Sequence, residues 1–330
     1  MANSKNDSKK QKQDLVITPG GPRPANFVHP VGPNQVVDVD REGNAFVTFR
    51  STESPKTKFR SSNMPNNLVL TPGGFRHPSL VHQVESGQAL YAEAGRMRIL
   101  DLSSKAFLEL PEVAIGPEEI PALGSGWIVY SYWNNGTGNS ISSFSTAWKV
   151  PPTPTTQKNQ IIFLFNGIQN YGENFGILQP VLQWGSSAAG GGPYWSIASW
   201  YVTSKGQAFH TPLVKVGIGQ TLLGLMTLSG KSGTRFNYNS EFRGIPGTSL
   251  PVQNIAELLW CNETLEAYTL TQCSDYPSTD HTAFQEINIQ TGSVFPTLKW
   301  TPVNAVTDCG QHVVVISDSA TSGEVDIHYR

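Results

Sequence analysis

The amino-acid sequence predicts an all-β protein whose main domain is an antiparallel two-sheet β-sandwich. Three observations favour this class. Glycine (31 residues), proline (23) and aromatic residues (10%) are plentiful, while charged residues make up only 15% of the 330 residues, a balance typical of strands joined by tight turns. Short β-rich runs recur from residue 127 onward. Helical 3.6-residue periodicity is weak throughout, so neither a Rossmann fold nor a TIM barrel is indicated.

The predicted strands of the sandwich are separated by turn residues, and their number and spacing favour two packed sheets of the jelly-roll kind. Only the segment 253–260 fits a short helix as well as a buried strand. The runs are WIVYSYW, SSFSTAWKV, QIIFLF, ILQPVLQW, YWSIASWYV, PLVKVGI, TLLGLM, FNYNSEF, FQEINI and HVVVIS.

The chain divides into four predicted parts. Residues 1–13 are a polar tail that we expect to be disordered, and 14–110 form a smaller β-rich region. Residues 111–126 are a linker rich in proline, glycine and acidic residues. The sandwich occupies 127–330.

The N-terminal region contains a duplicated segment. Residues 14–35 and 67–88 align without a gap, sharing TPGG, an arginine two residues later and V-H-x-V. Thr-Pro-Gly-Gly suits a tight turn, because proline presets φ and glycine accepts positive φ. We expect two equivalent hairpins that pack on each other or on the sandwich. The alternative is a paired anion or ligand site made by Arg23, Arg76, His29 and His82.

Charge and composition limit the classes of binding partner that we expect. A net charge of -2 and a pI near 6.4 provide no basic field for nucleic acid. No 18-residue apolar stretch or basic amphipathic helix favours a membrane. Residues 1–13 lack the apolar core of a secretory signal, so we expect an intracellular chain unless another route exports it. The oligomeric state is left open.

Neither a metal nor another cofactor is expected. The H-E-x-x-H, G-x-S-x-G and EF-hand patterns do not occur. Asp280 with His281, and Asp308 with His312, are the candidate ligand pairs, but scattered histidines are more often surface or hydrogen-bonded residues. Three cysteines and no CxxC favour neither a zinc ribbon nor a disulfide framework, although Cys261 and Cys273 are free to pair.

The string ILQPVLQW, residues 177–184, contains the candidate functional side chains. Alternation places Gln179 and Gln183 on one strand face among apolar neighbours. A buried amide needs partners, because an unpaired one costs about 1–3 kcal/mol. Glu257 is the favoured partner, since it also lies in an apolar run where burial raises the pKa of a carboxyl. Glu263 and Glu266 are nearby alternatives.

These motifs resemble those of the eqolisin family of glutamic peptidases over roughly residues 127–300. ILQPVLQW resembles the family's ILQTGVDW, and Ala256-Glu257 resembles its AEW motif. Upstream, STAWKVPP and IIFLFNGIQN look like its W-x-V-P and AAWVGIDG strands. The resemblance implies a concanavalin-like or eqolisin-like sandwich that hydrolyses peptide bonds, with Glu257 as the general base on water and Gln179 stabilising the oxyanion.

The sequence also departs from the family. Gln183 stands where the family has an aspartate, and Ser199 where it has a glutamate, so a non-catalytic relative with a structural Gln–Glu pair is an open alternative. In the peptidase interpretation Gln183, Tyr194 and Trp200 contact substrate. A second alternative is a lectin-like sandwich that stacks a glycan on groove aromatics; alternation sends Tyr194 and Trp200 to one face and Trp195 and Tyr201 to the other.

Overall fold

The structure is a computed structural model. It describes residues 68–94, 96–110, 126–171 and 175–330, together with the backbone of four strands in residues 15–49. The predicted tail 1–13 and the linker, up to residue 125, lie outside the described residues. Met1–Lys58 and Phe59–Arg330 form two compact units.

The first unit contains two antiparallel hairpin pairs. Strand β1 (Leu15–Thr18) pairs with β2 (Gly21–Pro24), and β3 (Gln35–Val39) pairs with β4 (Ala45–Phe49). The β1–β2 pairing spans the first TPGG motif.

The second unit is built from the remaining strands. They are β5 (Val69–Thr71), β6 (Gly74–Arg76), β7 (Val81–Gln83), β8 (Gln88–Glu93), β9 (Arg96–Asp101), β10 (Phe107–Leu108), β11 (Trp127–Asn134), β12 (Ile141–Lys149), β13 (Ile161–Gln169), β14 (Gly176–Ser187), β15 (Gly190–Thr203), β16 (Ala208–His210), β17 (Val214–Lys215), β18 (Thr221–Ser232), β19 (Arg235–Phe242), β20 (Leu250–Ile255), β21 (Trp260–Tyr268), β22 (His281–Thr291), β23 (Thr301–Asn304), β24 (His312–Ser317) and β25 (Gly323–His328). Single 3-10 turns lie at Pro78–Leu80 and Cys273–Asp275.

Two large sheets form the sandwich. The ten-stranded sheet has the order β10-β9-β8-β20-β19-β18-β12-β22-β25-β24, and the nine-stranded sheet has the order β23-β11-β21-β13-β14-β15-β16-β7, with β17 also paired to β15. Pairing is antiparallel except between β16 and β7 and between β20 and β8, which are parallel. The predicted all-β, two-sheet class is confirmed.

The strands that precede the predicted linker belong to these same sheets. β7 extends the nine-stranded sheet, and β8–β10 extend the ten-stranded sheet through β20. The proposed domain division at 111–126 therefore separates strands that share hydrogen bonds with the sandwich.

The buried side chains form two clusters, one on each face of the nine-stranded sheet. The first cluster fills the space between the sheets and includes Trp148 of β12 and Leu178 of β14. A hydrogen bond from Thr146 to Glu263 also joins the two sheets there. The second cluster covers the outer face of the nine-stranded sheet and includes Phe165 and Trp200. Because strand side chains alternate, the strands β11, β21, β13, β14, β15 and β16 each contribute to both clusters.

The chain between β20 and β21 differs from the prediction. Residues 256–259 belong to neither a helix nor a strand, so the apolar segment 253–260 is split between the end of β20 and the first residue of β21. The run PLVKVGI likewise contributes only the two residues of β17.

The cysteine pairing differs from the Cys261–Cys273 pair that the sequence leaves open. Cys273 forms a disulfide with Cys309, across 36 residues of sequence. Cys261 is a free thiol buried between the sheets, and burial raises its pKa well above the ordinary value. A Cys261–Cys273 bond is therefore wrong.

The described part of the chain has no helix that is long and apolar enough to cross a membrane.

Candidate functional site

Strand β14 places Gln179 on the outer face of the nine-stranded sheet. Its neighbours Ile177 and Val181 belong to the outer-face cluster, while Leu178 and Leu182 point between the sheets. This is the alternation that the sequence predicts. Gln179 is only 1% exposed, and its Oε1 has no hydrogen-bond partner among the described residues.

The sheet aligns Gln179 with Gly167 and Asn262. The flanking pairs of β13 and β14 are Phe165 with Val181 and Ile168 with Leu178, which place Gln179 opposite Gly167. Gly167 in turn pairs with Asn262 of β21. Adjacent strands lie about 4.8 Å apart, so the outer Cα atoms of this row are about 10 Å apart.

The space over Gly167 is occupied by the side chains of Asn262 and Ile177. A Cβ atom at Gly167 would lie 3.0 Å from Oδ1 and 3.2 Å from Nδ2 of Asn262, so the asparagine side chain leans over the glycine. Its Oδ1 accepts a hydrogen bond from Thr264, at 2.9 Å, and its Nδ2 has no partner among the described residues. The row therefore offers a buried acceptor on Gln179 and a buried donor on Asn262.

The amides of Gln179 and Asn262 can form hydrogen bonds but cannot act as acid or base. An amide donates and accepts hydrogen bonds but does not take a proton at ordinary pH, so the row contains no general base. An acceptor and a donor together match the N–H and C=O of a peptide group.

Glu257, the expected base, lies outside the strands of the nine-stranded sheet. It falls in the irregular segment 256–259 that precedes β21. Its charge acts on the phenol of Tyr238, whose pKa is raised mainly by burial and in part by Glu257. Tyr238 belongs to the cluster between the sheets, whereas Gln179 lies on the outer face. Gln179 Oε1 has no hydrogen-bond partner among the described residues, and the pairing of Gln179 with Glu257 stays a prediction.

The two alternative glutamates lie on opposite faces of β21. Glu263 points between the sheets, where it accepts a hydrogen bond from Thr146 at 2.5 Å. Burial raises its pKa well above the ordinary value. Glu266 lies on the outer face, in the row that Phe163 of β13 and Gln183 of β14 complete. Counting alternate residues from Trp260 predicts this split, but only once the first residue of the strand is known.

Glu266 binds the second TPGG hairpin, β5–β6. One carboxylate oxygen accepts hydrogen bonds from the backbone N–H of Gly73, at 2.7 Å, and from the Tyr268 hydroxyl. Burial raises the pKa of Glu266 to about 7, while these hydrogen bonds and the charge of Arg76 act in the opposite direction. The carboxylate is fully buried, so it holds the hairpin in place and is not presented to solvent.

Further contacts fix the same hairpin to the sheet. The backbone N–H of Ala188 donates to the carbonyl of Leu70 at 2.7 Å, and the Phe75 ring packs edge-on against Tyr268, with centroids 5.8 Å apart. Arg76 is fully buried; it donates to the carbonyls of Phe75 and Gly73, at 2.7 and 3.0 Å. Burial lowers its pKa, and the Tyr268 and Glu266 charges raise it.

The two TPGG copies have the same strand register. Thr18 pairs with Gly21 in the first hairpin, and Thr71 pairs with Gly74 in the second. In the second copy, Gly73 and Gly74 adopt φ of 89° and 112°, values that glycine accepts without strain.

The paired Arg–His site remains a prediction. The side chains of Arg23 and His29 lie outside the described residues. In the second copy, Arg76 binds backbone carbonyls, while the His82 ring lies 5.3 Å from the Phe209 ring and its pKa is lowered by burial.

The three side chains predicted to contact substrate, those of Gln183, Tyr194 and Trp200, contact other residues of the protein. Gln183 donates to the carbonyls of Gly185 and Gly190, both at 2.8 Å, and accepts from Ser187 at 2.8 Å; it thus ties together the β14–β15 turn. Trp200 is fully buried beside His210, with ring centroids 4.7 Å apart. Tyr194 is half-buried, with the Lys215 ammonium 4.6 Å from its ring centroid.

The candidate metal ligands do not converge on an ion site. Within the described ranges, no group of three or more His, Cys, Asp or Glu side chains is placed to hold a metal.

Comparisons with known proteins give matches among solved structures only. No family model matches the chain, and no curated protein matches it. Scytalido-glutamic peptidase with a transition state analog inhibitor matches with a TM-score of 0.41 and 12% identity, over 62% of this chain and 99% of that one. The same peptidase with a peptide based transition state analog gives 0.38 and 13%, over 62% and 98%.

A third match is SCP-B, a member of the eqolisin family of peptidases in a complex with the tripeptide Ala-Ile-His, with a TM-score of 0.36 and 12% identity over 62% of this chain and 98% of that one. The chain is thus similar to structures of the family that its motifs resemble.

Proposed function

We propose that this protein is a non-hydrolytic, peptide-binding relative of the glutamic peptidases, and that it holds its own TPGG hairpin on the outer face of the nine-stranded sheet. The hydrogen bond from the Gly73 N–H to Glu266, at 2.7 Å, carries the proposal. It is a main-chain contact to a buried carboxylate, the kind of contact that any extended peptide offers.

The row of Gln179, Gly167 and Asn262 supports the non-hydrolytic part of the proposal. Peptide hydrolysis through a Gln–Glu dyad needs a carboxylate within hydrogen-bond reach of the attacking water. Asn262 occupies the position across Gly167 from Gln179, and Glu257 lies in the irregular segment that precedes β21. Among the described strands of the nine-stranded sheet, Glu266 is the carboxylate on the outer face, and it is already bound to Gly73 and Tyr268.

Peptide binding is supported by the way the hairpin is held. Gly73 offers its N–H and Leu70 its carbonyl to the sheet, so the contacts use the backbone and place few demands on sequence. Arg76 adds a side-chain requirement, because its guanidinium is buried and hydrogen-bonded.

Trypsin tests whether the hairpin is held. Arg76 is buried, whereas the Arg98 side chain is 38% exposed. We expect cleavage after Arg76 to be slow in the wild type and at least about tenfold faster in Glu266→Leu, because the local opening that proteolysis requires becomes easier. Glu241→Leu, on the ten-stranded sheet, is the control and leaves the rate unchanged. Cleavage after Arg76 in the wild type as fast as after Arg98 contradicts the proposal.

A labelled peptide with the sequence of residues 67–77 tests binding by the face. In Arg76→Ala the chain's own hairpin is loosened while Glu266 remains, and we expect saturable binding of the peptide by fluorescence anisotropy. The double variant Arg76→Ala/Glu266→Leu loses this binding. If trypsin shows that the hairpin of Arg76→Ala has opened and the peptide still does not bind, peptide binding is ruled out.

The lectin-like alternative gains no support from the described aromatic side chains. Trp200 is fully buried, and Lys215 covers one face of Tyr194, so neither provides the open ring face that a sugar needs. Glycan-array binding that is lost in Trp200→Ala but retained in Glu266→Leu favours the lectin over the peptide-binding proposal.

A further inference from the structure

A set of polar side chains lies in the interior of the sandwich, on the opposite face of the nine-stranded sheet from the hairpin. Leu164 of β13 and Leu265 of β21 belong to the cluster between the sheets. Because strand side chains alternate, Asn166 and Glu263 point into the same space. These two residues are directly opposite each other in the β13–β21 register. The nine-stranded sheet therefore presents an amide and a carboxyl side by side to the other sheet.

The ten-stranded sheet contributes Thr146 of β12 and Gly224 of β18, which are opposite each other in their own register. The Thr146 hydroxyl donates to Glu263 Oε1 at 2.5 Å, and Asn166 Nδ2 donates to the Gly224 carbonyl at 3.3 Å. The four residues form a rectangle, with one hydrogen bond across the gap between the sheets at each end. Gly224 suits this position, because a Cβ atom there would lie 2.5 Å from Asn166 Oδ1.

Glu263 Oε2 and Asn166 Oδ1 are the unsatisfied atoms of this rectangle. Both oxygens are buried without a hydrogen-bond partner among the described residues, and both residues are 0% exposed. Two buried acceptors on adjacent strands repel each other, and each unpaired acceptor costs free energy. A proton on the carboxyl resolves both problems, since it turns one carboxyl oxygen into a donor.

The surroundings of Glu263 favour its neutral form. Ser131 of β11 and Asn166 of β13 are its partners in the sheet register, and Thr146 bonds to it from the other sheet, so these neighbours carry no positive charge. Burial raises the pKa of Glu263 well above its ordinary value, while the Thr146 hydrogen bond acts in the opposite direction. Cys261 is the titratable neighbour on the same strand, and its thiol pKa is raised by burial and by the charge of Glu263.

We infer that Glu263 is a protonated carboxylic acid that donates from Oε2 to Asn166 Oδ1, and that this bond closes a latch between the two sheets that opens when the proton is lost. The latch consists of Thr146, Glu263, Asn166 and Gly224, joined by three consecutive hydrogen bonds. Loss of the proton leaves a buried charge at the contact that spans the sheets. The inference is independent of the proposed peptide binding, because the hairpin is bound by Glu266 on the other face of β21.

Carbon-13 NMR of the full chain, labelled at the glutamate carboxyl carbons, tests the protonation of Glu263. At about pH 8, where carboxyls of ordinary pKa are ionised, we expect one resonance at the protonated position. It should be missing from Glu263→Gln and present in Glu109→Gln, whose side chain is exposed. A Glu263 resonance that titrates near the ordinary pKa of 4.5 overturns the inference.

Urea unfolding tests whether the proton closes the latch. Because Glu266 and Cys261 also titrate, the measurements use the Glu266→Gln background and stay below the ordinary thiol pKa of 9.0. The folded pKa of Glu263 exceeds the ordinary value of 4.5, so its contribution to stability is complete below 4.5 and is lost as pH rises through the raised pKa. Between about pH 7 and 8.5 the unfolding equilibrium constant should therefore rise about tenfold per pH unit.

Glu263→Gln in the same background is the matched variant. Its amide accepts from Thr146 and donates to Asn166 as the protonated acid does, so the variant should fold, and its unfolding constant should change less than about twofold over this pH range. Parallel pH curves for the two proteins overturn the inference.

Two further variants identify the acceptor of the proton. At about pH 7, Asn166→Ala should raise the unfolding equilibrium constant at least about tenfold more than Ser131→Ala, because it removes two hydrogen bonds of the latch. Ser131 is the control because it is the other register partner of Glu263. If Ser131→Ala raises the constant as much as Asn166→Ala or more, Glu263 does not donate to Asn166 and the latch is wrong.

Discussion

Glu266 accepts a hydrogen bond from the backbone N–H of Gly73, at 2.7 Å, across 193 residues of sequence. The contact joins the second copy of a duplicated turn motif to the outer face of the nine-stranded sheet. Burial holds the pKa of this carboxyl at about 7, so the contact that fixes the hairpin also titrates near neutrality.

The stability of the protein should therefore depend on the ionisation of Glu266. Its folded pKa of about 7 exceeds the ordinary value of 4.5, so its contribution to stability is fully present below about pH 4.5 and is lost as pH rises through 7. The shift corresponds to about 3 kcal/mol. Urea unfolding between about pH 5 and 8 should show a flatter pH dependence for Glu266→Gln than for the wild type.

Glu109→Gln is the control for this experiment. Glu109 is exposed, so the variant should follow the wild-type curve. An unchanged pH dependence in Glu266→Gln means that the carboxyl does not titrate in its buried position.

Two glutamines on the same strand face should differ in their effect on stability. Gln183 makes hydrogen bonds to Gly185, Gly190 and Ser187, so Gln183→Leu should lower the free energy of unfolding by about 2–3 kcal/mol. The Oε1 of Gln179 is buried without a partner, so Gln179→Leu should change the same quantity by less than about 1 kcal/mol or increase it. Chemical denaturation of both variants measures this difference. A larger loss in Gln179→Leu reverses the structural roles assigned to the two amides.

The Cys273–Cys309 disulfide should stabilise the fold substantially. It closes a loop across 36 residues, for which the chain-entropy relation gives about 4 kcal/mol. Adding dithiothreitol should lower the denaturation midpoint of the wild type and of Cys261→Ala, and should leave that of Cys309→Ser unchanged. Sensitivity to the reductant in Cys309→Ser indicates a different pairing.

Three histidines stack across the β22, β25 and β24 edge of the ten-stranded sheet. His328 lies between His281 and His312, with ring centroids 4.9 and 4.3 Å away. Burial and the two neighbouring imidazoles lower the pKa of His328, while Asp326 and Asp280 raise it. Its contribution to stability is therefore present above the ordinary pKa of 6.5 and is lost as pH falls through the lowered value.

NMR titration of the histidine ring protons measures this coupling. His312→Gln removes one neighbouring charge and should raise the pKa of His328, whereas His82→Gln, in a different sheet, should not change it. A His328 pKa that is the same in the wild type and in His312→Gln shows that the stacked rings do not interact electrostatically.

Much of the fold follows from local patterns in the sequence. The alternation in β14 and β15 places Gln179 and Trp200 on one face and Tyr201 on the other, because side-chain direction depends only on position along a strand. The TPGG motif predicts a hairpin for the same local reason, since its glycines accept positive φ.

The site could not be predicted in full, because it depends on where strands begin and on contacts between distant segments. The apolar run around Glu257 resembles a strand, yet β21 begins only at Trp260. Because β21 begins at Trp260, Asn262 lies on the outer face of the sheet and Glu257 lies outside the strand. No local feature of the sequence indicates where this strand begins. The Cys273–Cys309 bond and the Gly73–Glu266 contact join segments far apart in the chain, which sequence spacing alone does not reveal.

Hydrolysis of denatured casein by the full chain, from about pH 3 to 7, tests the central claim most directly. The described row of Gln179, Gly167 and Asn262 contains no general base, so we expect no cleavage above the buffer control in the wild type, in Gln179→Ala or in Glu257→Gln. Cleavage by the wild type that is abolished in both Gln179→Ala and Glu257→Gln would contradict the account and establish the dyad as a working peptidase centre.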